Sequence, residues 1–210
     1  MTMRAVCISD THGQHRSLKM PKGDLLIHAG DVTSRGSLQE VQEFLGWFSR
    51  QSHPYKLFIA GNHDFYFEQA TAQKIAHLIP QNVIYLNDSG VEIAGINFWG
   101  SPVTPWFYYW AFNRDRGPDM KRHWDLIPQN IDVLVTHGPP FGILDATIHG
   151  RKVGCEELRM RLDTLRPRVH VFGHIHEAAG KCQHQGTTFV NASVLDQRYQ
   201  LLHPPAVLDL

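Results

Sequence analysis

The stretch RVHVFGHIHE, Arg168–Glu177, begins as an apolar run and ends in two histidines one residue apart. β-Branched and aromatic residues closed by a glycine read as a short buried strand. On extended backbone, side chains at i and i+2 point the same way, so His174 and His176 are placed to reach one site. The same construction recurs upstream in RAVCIS (4–9), DLLIHAG (24–30), KLFIAG (56–61) and IDVLVT (131–136).

Helical patterns lie between these runs. Leu38, Val41, Leu45 and Phe48 form one apolar stripe, opened by the capping box Ser37-x-x-Glu40 and closed before Pro54. A second helix is predicted from about Glu68 to Ile79, stopped by Pro80, and a third after Gly154, with Cys155, Leu158, Leu162 and Leu165 on one face. Strands alternating with helices imply an α/β sheet covered on both faces. The weaker alternations VEIAGINFWG (91–100) and TTFVNAS (187–193) add antiparallel strands, which makes the sheets mixed and the whole a layered sandwich.

The chain has 210 residues, which predicts one domain over 1–210 and no second one. Its 20 basic and 20 acidic residues balance, which argues against a partner that is a long nucleic acid or an anionic membrane surface. Cys7, Cys155 and Cys182 show no C-x-x-C spacing, so neither a disulfide framework nor a structural zinc site is expected. No apolar run approaches a signal-peptide core or a bilayer span. The expectation is a soluble cytoplasmic protein.

Each strand-like run is followed at once by side chains that bind metals. These are Asp10 and His12, then Asp31, then Asn62 with His63 and Asp64, then His137, then His174 and His176. In open α/β sheets the ligand site lies beyond the carboxyl ends of the strands, so the five loops should converge. Gly30, Gly61, Gly138 and Gly173 flank them, where close backbone approach is expected. Asp10, His12, Asp31, Asn62, His137, His174 and His176 are too many donors for one tetrahedral ion. Two ions about 3.5–4 Å apart sharing one carboxylate would use them all. Against two carboxylates, two divalent cations leave surplus positive charge, which attracts phosphate and acidifies water. The nitrogen and oxygen donors suit Mn, Fe or Zn more than Cu(I) or Ca without choosing among them; Mn is the expected ion, with Fe, Zn or Ni as alternatives.

The ordered set D-x-H (10–12), G-D (30–31), G-N-H-D (61–64), T-H-G (136–138) and G-H-x-H (173–176) resembles the calcineurin-like metallophosphoesterase superfamily along nearly the whole chain. GSPVTPWF, THGPP, VGCEEL, VFGHIHE and NAS further resemble its small single-domain subgroup related to class III cyclic-nucleotide phosphodiesterases. The resemblance implies two mixed β-sheets flanked by helices in αββα layers. It also implies one metal on Asp10, His12, Asp31 and His176 and another on Asp31, Asn62, His137 and His174, bridged by Asp31. Some animal members carry Gly at the first histidine of G-H-x-H and are weak catalysts; here that position is His174.

The implied chemistry is hydrolysis of a phosphoester by a metal-activated hydroxide attacking in line. His63 is expected to donate a proton to the leaving oxygen or to hydrogen-bond a phosphate oxygen, with Asp64 fixing its tautomer. A small phosphodiester such as a cyclic nucleotide is the expected substrate. Phosphomonoester or phosphoprotein hydrolysis is the second reading, and a nucleotide-binding regulatory protein with low turnover the third. The segment 101–117 is a long aromatic-rich insertion, open to core packing, to a lid that stacks a base, or to a dimer contact. Trp106, Phe112 and Arg114 are its candidate substrate contacts beside Asn62 and His63, and Arg116 could assist with phosphate. His28 and His170 read as core histidines, and His15 and His123 as surface or structural. Asn191 and Ser193 resemble a family motif near the cavity, or shape a turn.

Overall fold

The computed structural model describes residues 2–210. In chain order the strands are β1 Arg4–Ile8, β2 Leu25–Ala29, β3 Tyr55–Ile59, β4 Ile84–Tyr85, β5 Ser89–Ile93, β6 Ile96–Ser101, β7 Thr104–Pro105, β8 Asn113–Arg114, β9 Val133–Thr136, β10 Val169–Phe172, β11 Gly180–His184, β12 Thr187–Asn191 and β13 Ala206–Asp209. The α-helices are α1 Leu38–Ser49, α2 Phe65–Gln69, α3 Ala72–Leu78, α4 Pro118–Asp125 and α5 Glu156–Leu165, and short 3-10 turns span Gln14–Ser17 and His176–Ala178.

Two main sheets form, in the orders β13-β1-β2-β3-β4 and β11-β12-β10-β9-β6-β5. The first is parallel from β1 to β4, with β13 antiparallel at its edge. The second is parallel through β12, β10, β9 and β6, with antiparallel β11 and β5 at its edges. Both sheets are therefore mixed.

Period-two alternation sends each strand's residues to two different cores. Cys7, Ile27, Leu57 and Ile59 meet Phe98, Val133, Val135, Val171 and Val190 between the sheets. Their neighbours Val6, Ile8, Leu26 and Phe58 pack outward on Val41, Phe44, Leu45 and Phe48 of α1. On the far side, Leu134, Phe172 and Phe189 meet Met120 and Trp124 of α4 and Leu158 and Leu162 of α5. Helix, sheet, sheet, helix is the resulting layer order.

The capping box at Ser37 and Glu40 forms as the spacing requires. The helix expected over 68–79 is instead two. Ala70 is extended, and the side chain of Thr71 accepts from the Lys74 backbone to start α3 afresh. A serviceable N-cap inside a helical pattern thus ended one helix and opened another. Cys155, expected within the third stripe, is the N-cap of α5, with Sγ accepting from Leu158 N–H. Helix α4, with Pro118 in its first turn, lies just past the aromatic insertion and has only two buried residues, Met120 and Trp124, to mark its face.

Candidate metal centre

The carboxyl ends of β1, β2, β3, β9 and β10 point the same way, and the loops following them meet. The loops after β1 and β2 are stitched together by backbone hydrogen bonds from Asp10 to Gly30 and from His12 to Asp31, both 3.0 Å. A bond of 2.9 Å from Gly173 N–H to the His137 carbonyl joins the loops after β9 and β10. Asp10, His12, Asp31 and His174 all have positive φ without being glycine. Such strain concentrates where surrounding structure over-determines a functional geometry. Gly61 and Gly173 permit the close approach: a Cβ at Gly61 would strike Asp31 and the His137 ring, and one at Gly173 would strike the Asp10 carboxylate. Gly138 has no such crowding, its nearest neighbour for a Cβ being 3.4 Å away.

Each buried carboxylate is anchored by backbone or hydroxyl donors and also faces imidazole nitrogens. Asp31 Oδ1 accepts from His63 N–H at 2.8 Å. Its Oδ2 faces His12 Nε2 at 3.6 Å and His137 Nε2 at 3.4 Å. Asp10 accepts from His174 N–H at 3.0 Å and from the Ser193 hydroxyl at 2.7 Å, while Oδ1 faces His176 Nε2 at 3.5 Å. Donor atoms of Asp10, His12 and His176 lie within 4.8 Å of one another, as do those of Asp10, Asp31 and His137, and those of His12, Asp31 and His63. Asn62 Oδ1 is 2.8 Å from His137 Nε2. His174 stands beside His137, ring centroids 5.1 Å apart, and belongs to none of these triplets.

The lone pairs say what belongs between these groups. Nδ1 of His137 lies 2.9 Å from the Ala29 carbonyl and Nδ1 of His176 lies 3.0 Å from that of Asp196. A carbonyl only accepts, so each Nδ1 carries the hydrogen and each Nε2 of the neutral ring offers a lone pair. Those Nε2 atoms face carboxylate and amide oxygens, and His12 Nε2 faces His176 Nε2 at 3.4 Å. Where the Nε2 atoms of His137 and His176 face those oxygens, acceptor meets acceptor in a buried site, which calls for a proton or a cation between them. Burial alone would lower His137 and His176, yet Asp31 and Asp10 respectively hold them up at about 9. A proton or a metal ion satisfies that demand, and this mixed nitrogen and oxygen donor set fits a divalent ion. Burial lowers His12 to about 4, so its ring stays neutral and competent to coordinate.

Asp64 does not hold His63. Its carboxylate is fully buried and accepts from Val32 N–H, Thr33 N–H, the Thr33 hydroxyl and Gly61 N–H at 2.6–3.1 Å. Those four donors belong to the loops after β2 and β3, so Asp64 ties the two loops together. The Ser34 carbonyl takes the place expected for Asp64, 2.9 Å from His63 Nδ1. Trp110 stacks on the His63 ring, centroids 4.2 Å apart.

The aromatic insertion divides. Trp106 lines a cavity of about 340 Å³ that also touches His174, and Phe107 lines it too. Phe112 does not face it: its side chain is 3% exposed, packed in the core beside α1. Arg114 is committed elsewhere, to His123 Nε2 at 3.2 Å and the Asn113 carbonyl at 2.7 Å. Asn191 and Ser193 do sit at the site. Asn191 Nδ2 donates to the Ile175 carbonyl at 2.8 Å, and Ser193 carries Asp10. His28 and His170 are core residues bonded to Thr11 and Thr136 at 2.9 and 2.8 Å.

Tyr199, which lies outside every motif in the sequence, also belongs to the site. Its ring packs on those of His12 and His176, centroids 4.9 and 5.4 Å away. Asp196 makes the turn that puts it there, Oδ1 accepting from Arg198 and Gln200 N–H at 2.8 and 2.9 Å. An Asp opening a polar stretch was the one available signal.

Residues 3–178 match the family model described as calcineurin-like phosphoesterase. The chain is 43% identical over 233 residues to metallophosphoesterase domain-containing protein 1 of Homo sapiens, covering 99% of this chain and 71% of that protein. A UPF0046 protein of Caenorhabditis elegans is 36% identical over 98% of this chain and 74% of its own length. The fold is similar to that of TT1561 of Thermus thermophilus, with TM-score 0.62, 12% identity and coverage of 91% of this chain and 89% of that one. It is likewise similar to a phosphopantetheinyl hydrolase of Mycobacterium tuberculosis, with TM-score 0.62, 16% identity and coverage of 93% and 90%.

Proposed function

Because this chain belongs to the calcineurin-like phosphoesterase family, whose members are metal-dependent phosphoester hydrolases, we propose that it is a dinuclear phosphodiesterase acting on small phosphodiesters such as cyclic nucleotides. The observation that carries this reading is the convergence of imidazole lone pairs and buried carboxylates around Asp31 Oδ2. Asp10, His12, Asp31 and His176 would hold one ion, and Asp31, Asn62, His137 and His174 the other, with manganese the favoured metal. Bound divalent ions supply acidified water and neutralise charge that grows on the phosphoryl oxygens.

The protein's own residues supply the rest. His63 has Nδ1–H donating to the Ser34 carbonyl, which sets the ring so that Nε2 is the nitrogen left to exchange a proton with the leaving oxygen. Trp110 stacks on that ring and Asp31 holds the His63 backbone, so the ring turns little on binding. Asp64 secures the loops beneath it. No side chain is required as a nucleophile, so displacement proceeds in one step with inversion at phosphorus.

The three cysteines are free, which supports a reducing compartment such as the cytoplasm. Among the described residues no helix is long and apolar enough to cross a membrane. The test is a panel of bis-p-nitrophenyl phosphate, p-nitrophenyl phosphate and 2′,3′- and 3′,5′-cyclic nucleotides with Mn²⁺. Diester turnover above monoester turnover is expected. Preference for the monoester would make the protein a phosphatase, and tight AMP or GMP binding without turnover of any ester would make it a nucleotide-binding regulator.

A further inference from the structure

The cavity beside His174 has a charge character that the metal ligands do not explain. Its wall includes Arg116, Arg151 and Lys152 with Trp106 and Phe107, and no Asp or Glu lines it. Among the described residues none of the three cations has a carboxylate within ion-pair distance. The whole chain is formally neutral, so three unpaired cations around one concavity are a local concentration. A concave site lined by one sign of charge focuses potential on whatever enters it.

These residues are positioned by built structure. Arg151 and Lys152 lie on a hairpin closed by a bridge between Ala146 and Lys152. At its base the buried Asp145 accepts from Gly142 and Gly154 N–H, at 2.8 and 3.1 Å. Near its tip Ile148 N–H donates to Glu177 at 3.0 Å, so the last residue of the G-H-x-H-E stretch anchors the cationic hairpin to the loop that carries His174 and His176. Arg116 braces the returning strand, donating to the Val153 and Gly154 carbonyls at 3.1 and 3.0 Å. Lys152 Nζ sits 5.9 Å over the Phe141 ring.

We infer that this cavity is a second phosphate subsite, with Arg151 and Lys152 its specificity-determining residues, and that the preferred substrate is a phosphodiester bearing an additional phosphate group. This rests on the ester-cleaving reading of the adjoining centre. A flat wall from Trp106 and Phe107 next to the cations suits a nucleoside whose base stacks while its second phosphate pairs with the hairpin. A simple 3′,5′-cyclic nucleotide carries one charge and leaves the hairpin unused, so it ranks below such a substrate.

The experiment uses matched pairs on the manganese-loaded protein: adenosine 2′,3′-cyclic phosphate with and without a 5′-phosphate, and thymidine 5′-(p-nitrophenyl phosphate) with and without a 3′-phosphate. In at least one pair the added phosphate should raise kcat/KM about tenfold or more, and the Arg151→Ala/Lys152→Ala variant should lose that gain while the protein melts at the same temperature. A gain absent from both pairs, or unchanged in the variant, overturns the subsite. In parallel, binding of adenosine 3′,5′-bisphosphate is compared with that of AMP, the bisphosphate being expected about tenfold tighter in the parent only. Should no ester be turned over, the ester-cleaving reading falls, and the binding ratio alone then upholds or rejects the subsite.

Discussion

Nδ1 of His63 donates to the carbonyl oxygen of Ser34 at 2.9 Å, while Asp64, adjacent in sequence, turns its carboxylate into the protein beneath. Two residues of one motif therefore do different work. His63→Ala should retain metal and lose most turnover, about 10²-fold or more for loss of a general acid. Metal analysis beside kcat separates the two effects, and undiminished kcat would remove the assignment.

Asp64→Ala should instead unfold more easily. Four buried donors lose their acceptor at once, and breaking such a network costs about 3 kcal/mol or more. Denaturant melts of the chelated protein measure this directly, and a variant as stable as the parent but inactive would return Asp64 to the catalytic role.

Tyr199 should matter for holding metal through its ring. It packs against both His12 and His176, and losing the groups that orient metal ligands weakens affinity by about 10- to 100-fold. Tyr199→Ala should then surrender an ion to mild chelation while Tyr199→Phe keeps it. Equal retention by both variants would confine Tyr199 to the loop.

Phe112 and Trp106 test the two fates of the aromatic insertion. Phe112→Ala empties a core position, which costs about 3–5 kcal/mol. Trp106 is half exposed and lines the cavity, so Trp106→Ala should raise KM for a nucleotide ester with little change in melting temperature. A reversed pattern would mean that Phe112 faces the substrate.

Acid should destabilise the protein through His170. It is fully buried, and burial lowers it from 6.5 to about 3. Below pH 6.5 the unfolded chain binds a proton that the folded chain refuses, so stability present above pH 6.5 is lost as pH falls toward about 3. In His170→Phe the stability lost between pH 6.5 and 4.5 should shrink by about 1.4 kcal/mol per pH unit. An unchanged slope would show that the ring is protonated in place.

The convergence of five loops was legible because each ligand sits within four residues of the end of a buried strand, and parallel strands must end on the same side. The lone-pair geometry was not, since the Ala29 and Asp196 carbonyls that orient His137 and His176 carry no residue-type signal. Asp64 was misread for a related reason: adjacency in a loop does not say which way a side chain turns. Phe112 and Arg114 belong to an aromatic string without periodicity, so burial could not be apportioned along it. Arg151, Lys152 and Tyr199 reach the site through turns set by Asp145 and Asp196, and turn acids are too common to point to a site.

The most direct measurement is anomalous scattering from a crystal grown with Mn²⁺. Two peaks about 3.5–4 Å apart should flank Asp31 Oδ2, one bounded by Asp10, His12 and His176 and the other by Asn62, His137 and His174. A single peak that Asp31 does not touch, or none at saturating Mn²⁺, would contradict the dinuclear centre.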